Sequence, residues 1–193
     1  EFEIILVNDG SSDKKTLKIL NSYSYLKNLR LINQKNYGLS AARNKGVQYS
    51  NGYYLFFLDS DDWIEPETLE KMFKTLSKYK KNRFIYADIF TEGQASKIIR
   101  KNYNLFEQLF LNQLPYSIFI SKKNWKITGG YDEKMKDGYE DWDFNIRLGL
   151  AKIYGIRLSE PLFHYHISNN GMLLSKSSKS HSQIWNYIMK KNK

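Results

Sequence analysis

Apolar and polar positions along the chain fall into short runs whose period changes repeatedly. Ile4, Ile5, Leu6 and Val7 form a β-branched run, and the turn formers Asn8-Asp9-Gly10-Ser11-Ser12-Asp13 follow it. The pattern predicts a strand over Phe2 to Val7 and then a capped helix that buries Leu17, Ile19, Leu20 and Leu26. A second short strand covers Leu29 to Ile32, and the loop from Asn33 to Gly38 leads into a helix starting Leu39-Ser40-Ala41-Ala42-Arg43. Tyr53 to Leu58 is bulky throughout without alternation, as in a strand covered on both faces inside a parallel sheet. Alternating strand and helix predicts right-handed βαβ units whose strands end on one rim. That rim gathers Asp9, the Asn36 to Arg43 loop and Asp59 to Asp62.

Beyond it, Glu65-Pro66-Glu67 opens a helix through Met72, Phe73 and Leu76 that leaves through Lys80 and Lys81. Phe84 to Phe90 reads as a strand, Thr91 to Ser96 as a polar turn, and Ile98 to Leu114 as a strand followed by an apolar helix. Tyr116 to Ile120 is a further strand, and Asn124 to Ile127 a short helix stopped by Gly129 and Gly130. Tyr139-Glu140-Asp141-Trp142-Asp143 begins a helix carrying Phe144, Ile146 and Leu148, with Asp143 and Arg147 spaced as an intrahelical pair. Ile156 to Leu158 and Leu162 to Ile167 read as two short strands interrupted by Pro161, with His164 and His166 on one face of the second. Met172 to Ser182 is a basic, serine-rich tail. The last helix, Ser182 to Lys191, bears an apolar stripe of Ile184, Trp185, Ile188 and Met189, which docks on its own domain or rests on a membrane surface.

At 193 residues and 41% apolar content the chain makes one domain with a real core, and no run approaches the roughly 20 apolar residues of a membrane-spanning helix. It opens directly on a core strand, without Met or a basic leader, which implies residues upstream of Glu1. The absence of cysteine excludes disulfides, a thiolate nucleophile and Cys-ligated metal, and points to the cytoplasm. A net charge of +10 favours an anionic partner, yet the lysines are scattered and no zinc-finger, RRM or Walker spacing appears. Nucleic acid is therefore not the expected partner.

Asp59, Asp61 and Asp62 end an apolar run within four positions. Like charges this close call for a cation or for hydrogen-bond donors, or else the acids cap the next helix. Asp9 reads either as a ligand-binding acceptor or as a turn residue before Gly10.

Six ordered motifs resemble the inverting, GT-A-fold glycosyltransferases of family 2. They are Val7 to Asp13, Asn36 to Gly46, Leu58 to Asp62, Gly129 to Glu133, Glu140 to Asp143 with Arg147, and Pro161 to His166. The resemblance implies a Rossmann-like α/β domain over residues 1–170, with a central, mostly parallel mixed sheet flanked by helices, followed by a basic tail and helix over 171–193. It implies transfer of a sugar from a nucleotide diphosphate donor, UDP foremost, to a glycan or lipid-linked acceptor, with Mn²⁺ or Mg²⁺ as cofactor. In that scheme Asp141 is the general base, with Glu140 beside it contacting the acceptor or orienting the base. Asp9, Asn36, Gly38, Arg43, Asp59 and Ser60 hold the nucleotide sugar, Arg43 by binding phosphate or by pairing with Asp9 or Asp59. Asp61, Asp59 and His166 (or His164) hold the metal, while Asp62 either supports that site or caps a helix. Gly129, Gly130, Tyr131 and Trp142 line the sugar or acceptor pocket. The family's usual opening strand is missing ahead of Glu1, so a catalytically inactive sugar-nucleotide binder is the alternative, with a basic nucleic-acid binder behind it. Cytoplasmic residence, or contact with the inner membrane face through the last helix, completes the expectation.

Overall fold

The computed structural model describes residues 1–23, 25–79, 82–93, 96–167 and 180–192. β1 (Ile4–Asp9) and β2 (Leu29–Gln34) pair in parallel as a sheet of their own, joined by α1 (Lys14–Ser22). Asp13 caps α1 through the Thr16 N–H at 2.8 Å. No residue of α1 is fully buried: Leu17 and Leu20 are half-buried and Ile19 is 55% exposed, so the expected apolar face of this helix is only partly covered.

The larger sheet is mixed. β3 (Tyr54–Phe56), β7 (Phe119–Ser121), β5 (Arg83–Gly93), β8 (Tyr154–Ile167) and β4 (Trp63–Ile64) lie in that order, and β6 (Lys97–Ile99) folds back on β5. Within it only β5 and β8 run parallel; the other pairings are antiparallel. The sheet is mixed, as expected, but not mostly parallel. β3 corrects the reading of Tyr53 to Leu58 in particular. It is a three-residue edge strand paired only with β7, and Tyr53 and Leu58 are 87% and 45% exposed. An unalternating apolar run fits an edge as well as a buried centre when one of its flanks lacks a neighbour.

Pro161 does not break a strand. β8 runs continuously from Tyr154 to Ile167, and its register on β5 jumps from Ala87↔Leu158 to Ile89↔Phe163, so Pro161 occupies an unpaired bulge where no ladder N–H is needed. The apolar helix expected before Leu114 shrinks to α4 (Leu105–Gln108), leaving Phe106, Phe110 and Leu111 exposed.

The main core gathers Val47 of α2 (Leu39–Tyr49), Leu55, Phe84, Tyr86, Ile118, Ile120, Phe144 and Leu148. On the other face, Met72 and Leu76 of α3 (Thr68–Leu76) pack on Ile85 and Ala87. α5 (Lys122–Ile127) ends at Gly129 and Gly130, and α6 (Glu140–Leu150) then crosses the core. α7 (His181–Lys191) lays Ile184, Trp185, Ile188 and Met189 against Met135, Trp142 and Ile146. The stripe that offered a membrane contact is therefore occupied by the domain itself. Lys191 adds ion pairs to Asp132 at 2.7 Å and Asp143 at 2.9 Å. Burial pushes the Asp132 carboxyl up, but the Lys191 hydrogen bond and neighbouring donors outweigh it and hold the pKa at about 2. The tail over residues 172–179 and the lysine exit at residues 80 and 81 lie outside the described residues. No helix among the described residues is long and apolar enough to cross a membrane.

Gly129 and Gly130 turn the chain into the segment that carries α6, both in the left-handed region (φ 78° and 74°). A Cβ on Gly130 would meet the Trp125 ring at 2.6 Å, whereas one on Gly129 would meet nothing within 4 Å. Gly129→Ala should cost only the left-handed penalty, about 1–2 kcal/mol, and Gly130→Ala clearly more, as read by urea unfolding. Equal costs would show that the Trp125 contact is not limiting.

Candidate functional site

The rim is built from three loops. Asp9 ends β1, and its carboxylate accepts the Gln34 side-chain amide at 2.7 Å, the Tyr37 N–H at 2.9 Å and the Gly38 N–H at 2.8 Å. Asp9 thereby fixes the loop holding Asn36 and Gly38. The side chain that closes the turn is that of Asn8, which accepts the Ser11 N–H at 2.9 Å. A carboxylate offers about four lone-pair sites, so Asp9 keeps one for a further donor. Asn36 is exposed beside it, its backbone N 2.7 Å from where a Gly10 Cβ would lie, and Gly38 takes φ 96°.

The second loop is a tight turn, closed by the Asp62 N–H on the Asp59 carbonyl at 3.2 Å, with Ser60 and Asp61 exposed at its corner. Both Asp59 oxygens accept from Arg43 Nη2, at 2.8 and 3.0 Å. Asp62 caps no helix: α3 starts at Thr68 with Glu67 at its cap position. One Asp62 oxygen accepts the Tyr116 hydroxyl at 2.5 Å, the other the His166 backbone N–H at 2.8 Å. Burial, only partly offset by these donors, lifts its pKa to about 6.

The third contribution is the first turn of α6. Glu140 is buried and accepts Arg43 Nη1 at 2.7 Å, so a single guanidinium bridges the acidic turn to α6. Its face covers the Tyr116 ring at 4.7 Å and the Tyr131 ring at 5.3 Å. Burial opposes the Arg43 charge, but Asp59 and Glu140 outweigh it and push the pKa up. Of the roles open to Arg43, the ion pair with Asp59 is formed; Nη1 and Nη2 engage Glu140 and Asp59, while the buried Nε has no hydrogen-bond partner. Asp141, half-buried, accepts the Asn112 amide at 2.9 Å. Burial raises the pKa of both Glu140 and Asp141; Arg43 opposes the rise at Glu140, and the Asn112 hydrogen bond and Arg43 oppose it at Asp141. Tyr165 lies in the field of both clusters: burial first, then Asp62, Asp141, Asp59 and Asp61, push its hydroxyl to about 12.

Several expected contacts fall elsewhere. Tyr131 and Trp142 are buried at 3% and 2% exposure, packed against Phe144 and in the α7 cluster respectively, so neither offers a ring to a sugar. The space at Gly130 is filled by Trp125; only Gly129 faces open space. His164 is consumed between Glu65 at 2.9 Å and Glu92 at 3.2 Å and stacks on Trp63 at 3.4 Å. His166 offers its backbone to Asp62, while its ring packs at Gly93. Among the described residues no group of three or more His, Asp or Glu side chains is arranged to hold a metal ion. Mg²⁺ commonly takes only one or two protein carboxylates beside substrate phosphates and water, and Asp61 could serve as one, being exposed and without a hydrogen bond or ion pair among the described residues. Tyr116, Asn112 and Tyr165 carry no sequence signal, because their partners are remote along the chain.

Known proteins share this arrangement of elements. Staphylococcus aureus TarS (residues 1–349), solved with UDP-GlcNAc, superposes with a TM-score of 0.73 at 20% identity over 91% of this chain and 52% of its own, which shows a common fold. The minor teichoic acid biosynthesis protein GgaB of Bacillus subtilis is 28% identical over 97% of this chain and 22% of its own length. The glycosyltransferase GlyA of Streptococcus pneumoniae is 34% identical over 83% of this chain and 21% of its own. The chain thus spans about a fifth of these two relatives. The model of glycosyl transferase family 2 matches residues 1–133, more than half of the 193 present, and the chain belongs to that family.

Proposed function

We propose that the chain carries the catalytic site of a metal-dependent, inverting glycosyltransferase that moves a sugar from a UDP-sugar to a glycan or lipid-linked acceptor in envelope polysaccharide synthesis. The observation that carries this reading is the Arg43 bridge, which holds the acidic turn at Asp59 and the α6 turn at Glu140 on one rim. UDP is favoured by the TarS complexes with UDP-GlcNAc and UDP, and a polymer acceptor by GgaB, named for teichoic acid biosynthesis.

The reaction is a single displacement. The acceptor oxygen forms a bond to the anomeric carbon as the bond from that carbon to the diphosphate oxygen breaks, and the hydroxyl proton passes to the Asp141 carboxylate. Asp141 suits this role because burial raises its proton affinity, while Asn112 orients it. Glu140, paired with Arg43, holds the helix start in place. Asp61, with Ser60 beside it, reaches the diphosphate. A bound Mn²⁺ or Mg²⁺ there stabilises the charge growing on the leaving diphosphate. Asp9 and Asn36 face the nucleotide, with one Asp9 lone pair open to a base N–H. A catalytically silent nucleotide-sugar binder would keep these donor contacts and lack turnover.

Asp141→Asn should lower kcat by about 10²–10⁴, the usual share of a general base, and leave calorimetric UDP affinity unchanged; equal loss of both would sink the base assignment. Asp61→Ala should weaken UDP binding in Mn²⁺ at least about tenfold and leave binding in EDTA untouched; wild-type affinity that ignores EDTA removes the metal role. The raised Asp141 pKa places the acid limb of the kcat profile above the ordinary carboxylate range, with activity falling as pH drops and the base is protonated. Asn112→Ala deletes a hydrogen bond that favours the charged form, so its acid limb should move to higher pH.

A further inference from the structure

Tyr116 reaches both ends of the acidic turn from outside it. Its hydroxyl accepts the Asp59 N–H at 2.9 Å and donates to Asp62 at 2.5 Å, so one phenol oxygen ties both ends of the turn that Asp62 N–H and Asp59 O already close. Its ring supports the Arg43 guanidinium at 4.7 Å and stands edge-on to Phe163 at 5.4 Å. These contacts sort the acids. Asp59 turns inward to Arg43, and Asp62 turns inward to Tyr116 and the His166 N–H. Asp61 alone is left at the corner, exposed. With the hydroxyl gone, the Asp59 N–H and the half-buried Asp62 carboxylate would each lose a partner, and an unpaired buried polar group is costly enough for the turn to rearrange.

We propose that Tyr116 is the positioning residue that fixes this turn so that Asp61, rather than Asp59 or Asp62, is presented to a divalent cation and the donor diphosphate. The inference rests on the metal-site reading given above, and its test separates the two. Tyr116→Phe keeps the ring over Arg43 and removes only the oxygen. In the full 193-residue chain, UDP binding is titrated by calorimetry against Mn²⁺ and repeated in EDTA, and ligand-free melting is recorded. The half-saturating Mn²⁺ concentration should rise about tenfold, the worth of one charge-assisted hydrogen bond, while UDP affinity in EDTA stays within about twofold of wild type. Tyr103→Phe, which removes a buried hydroxyl that lacks a partner, should leave the Mn²⁺ midpoint in place. An unchanged midpoint in Tyr116→Phe overturns the proposal, and so does a parallel loss of UDP affinity in EDTA, which would mark a merely structural role. Metal-independent binding by the wild type removes the metal reading itself, and the Tyr116 proposal with it. If Tyr116→Phe does not fold, Asp62→Ala removes the acceptor of the same tie and must raise the midpoint; an unchanged midpoint there also overturns the proposal.

Discussion

One buried guanidinium sets the geometry of this molecule. Arg43 comes from α2, Asp59 from the turn after β3 and Glu140 from the start of α6, and the three meet with Arg43 only 9% exposed beneath two tyrosine rings. A carboxylate withdrawn from water needs a partner, and removing one member of such a buried pair costs about 3–5 kcal/mol because the other charge remains. The Arg43 fork reaches two carboxylates at once where a lysine would offer one point charge. The same engagement has a chemical consequence. With Nη1 and Nη2 committed to Glu140 and Asp59, only the buried Nε lacks a partner, so an anion reaching Arg43 would have to compete with these two carboxylates.

The rim was legible in the chain because its parts are local. Turn formers follow apolar runs at Asp9 and at Asp59 to Asp62, and acids crowd the first turn of α6, so neighbouring residues alone mark the strand ends and the helix start. What composition hid was neighbourhood. Tyr53 to Leu58 has the residues of a buried strand, yet β3 has a partner on one flank only, and pattern cannot count flanks. Pro161 looked like a stop because a proline N–H is missing, and the bulge opposite Ala87 and Ile89 is where none is needed. Tyr131 and Trp142 looked like sugar platforms, but a large aromatic gains most by burial, and both are core.

Residues that act through distant partners had no local signature. Tyr116 reaches Asp62 across 54 positions, and Asn112 reaches Asp141 across 29. The C-terminal stripe shows the reverse case: its amphipathic pattern was plain, and only the packing of Ile188 against Trp142 and Ile146, with Lys191 on Asp132 and Asp143, shows which apolar surface it meets.

Both acidic clusters resolve by the same rule. In the turn after β3, Asp59 is neutralised by Arg43 and Asp62 is held by two donors, which leaves Asp61 outward. In the first turn of α6, Glu140 takes the other arm of Arg43, and Asp143 is paired with Arg147 and Lys191, while Asp141 accepts from two neutral donors, the Asn112 amide and the Trp142 N–H. A carboxylate locked to a cation is a poor proton acceptor and a poor metal ligand, since either role must first displace its partner. The fold thus commits Asp59, Glu140 and Asp143 to cations and leaves Asp61 and Asp141 without an ion pair among the described residues. Like charges that would repel in isolation thus end in different settings, Asp61 exposed in the turn and Asp141 half-buried at the helix start, on the two sides of the Arg43 bridge.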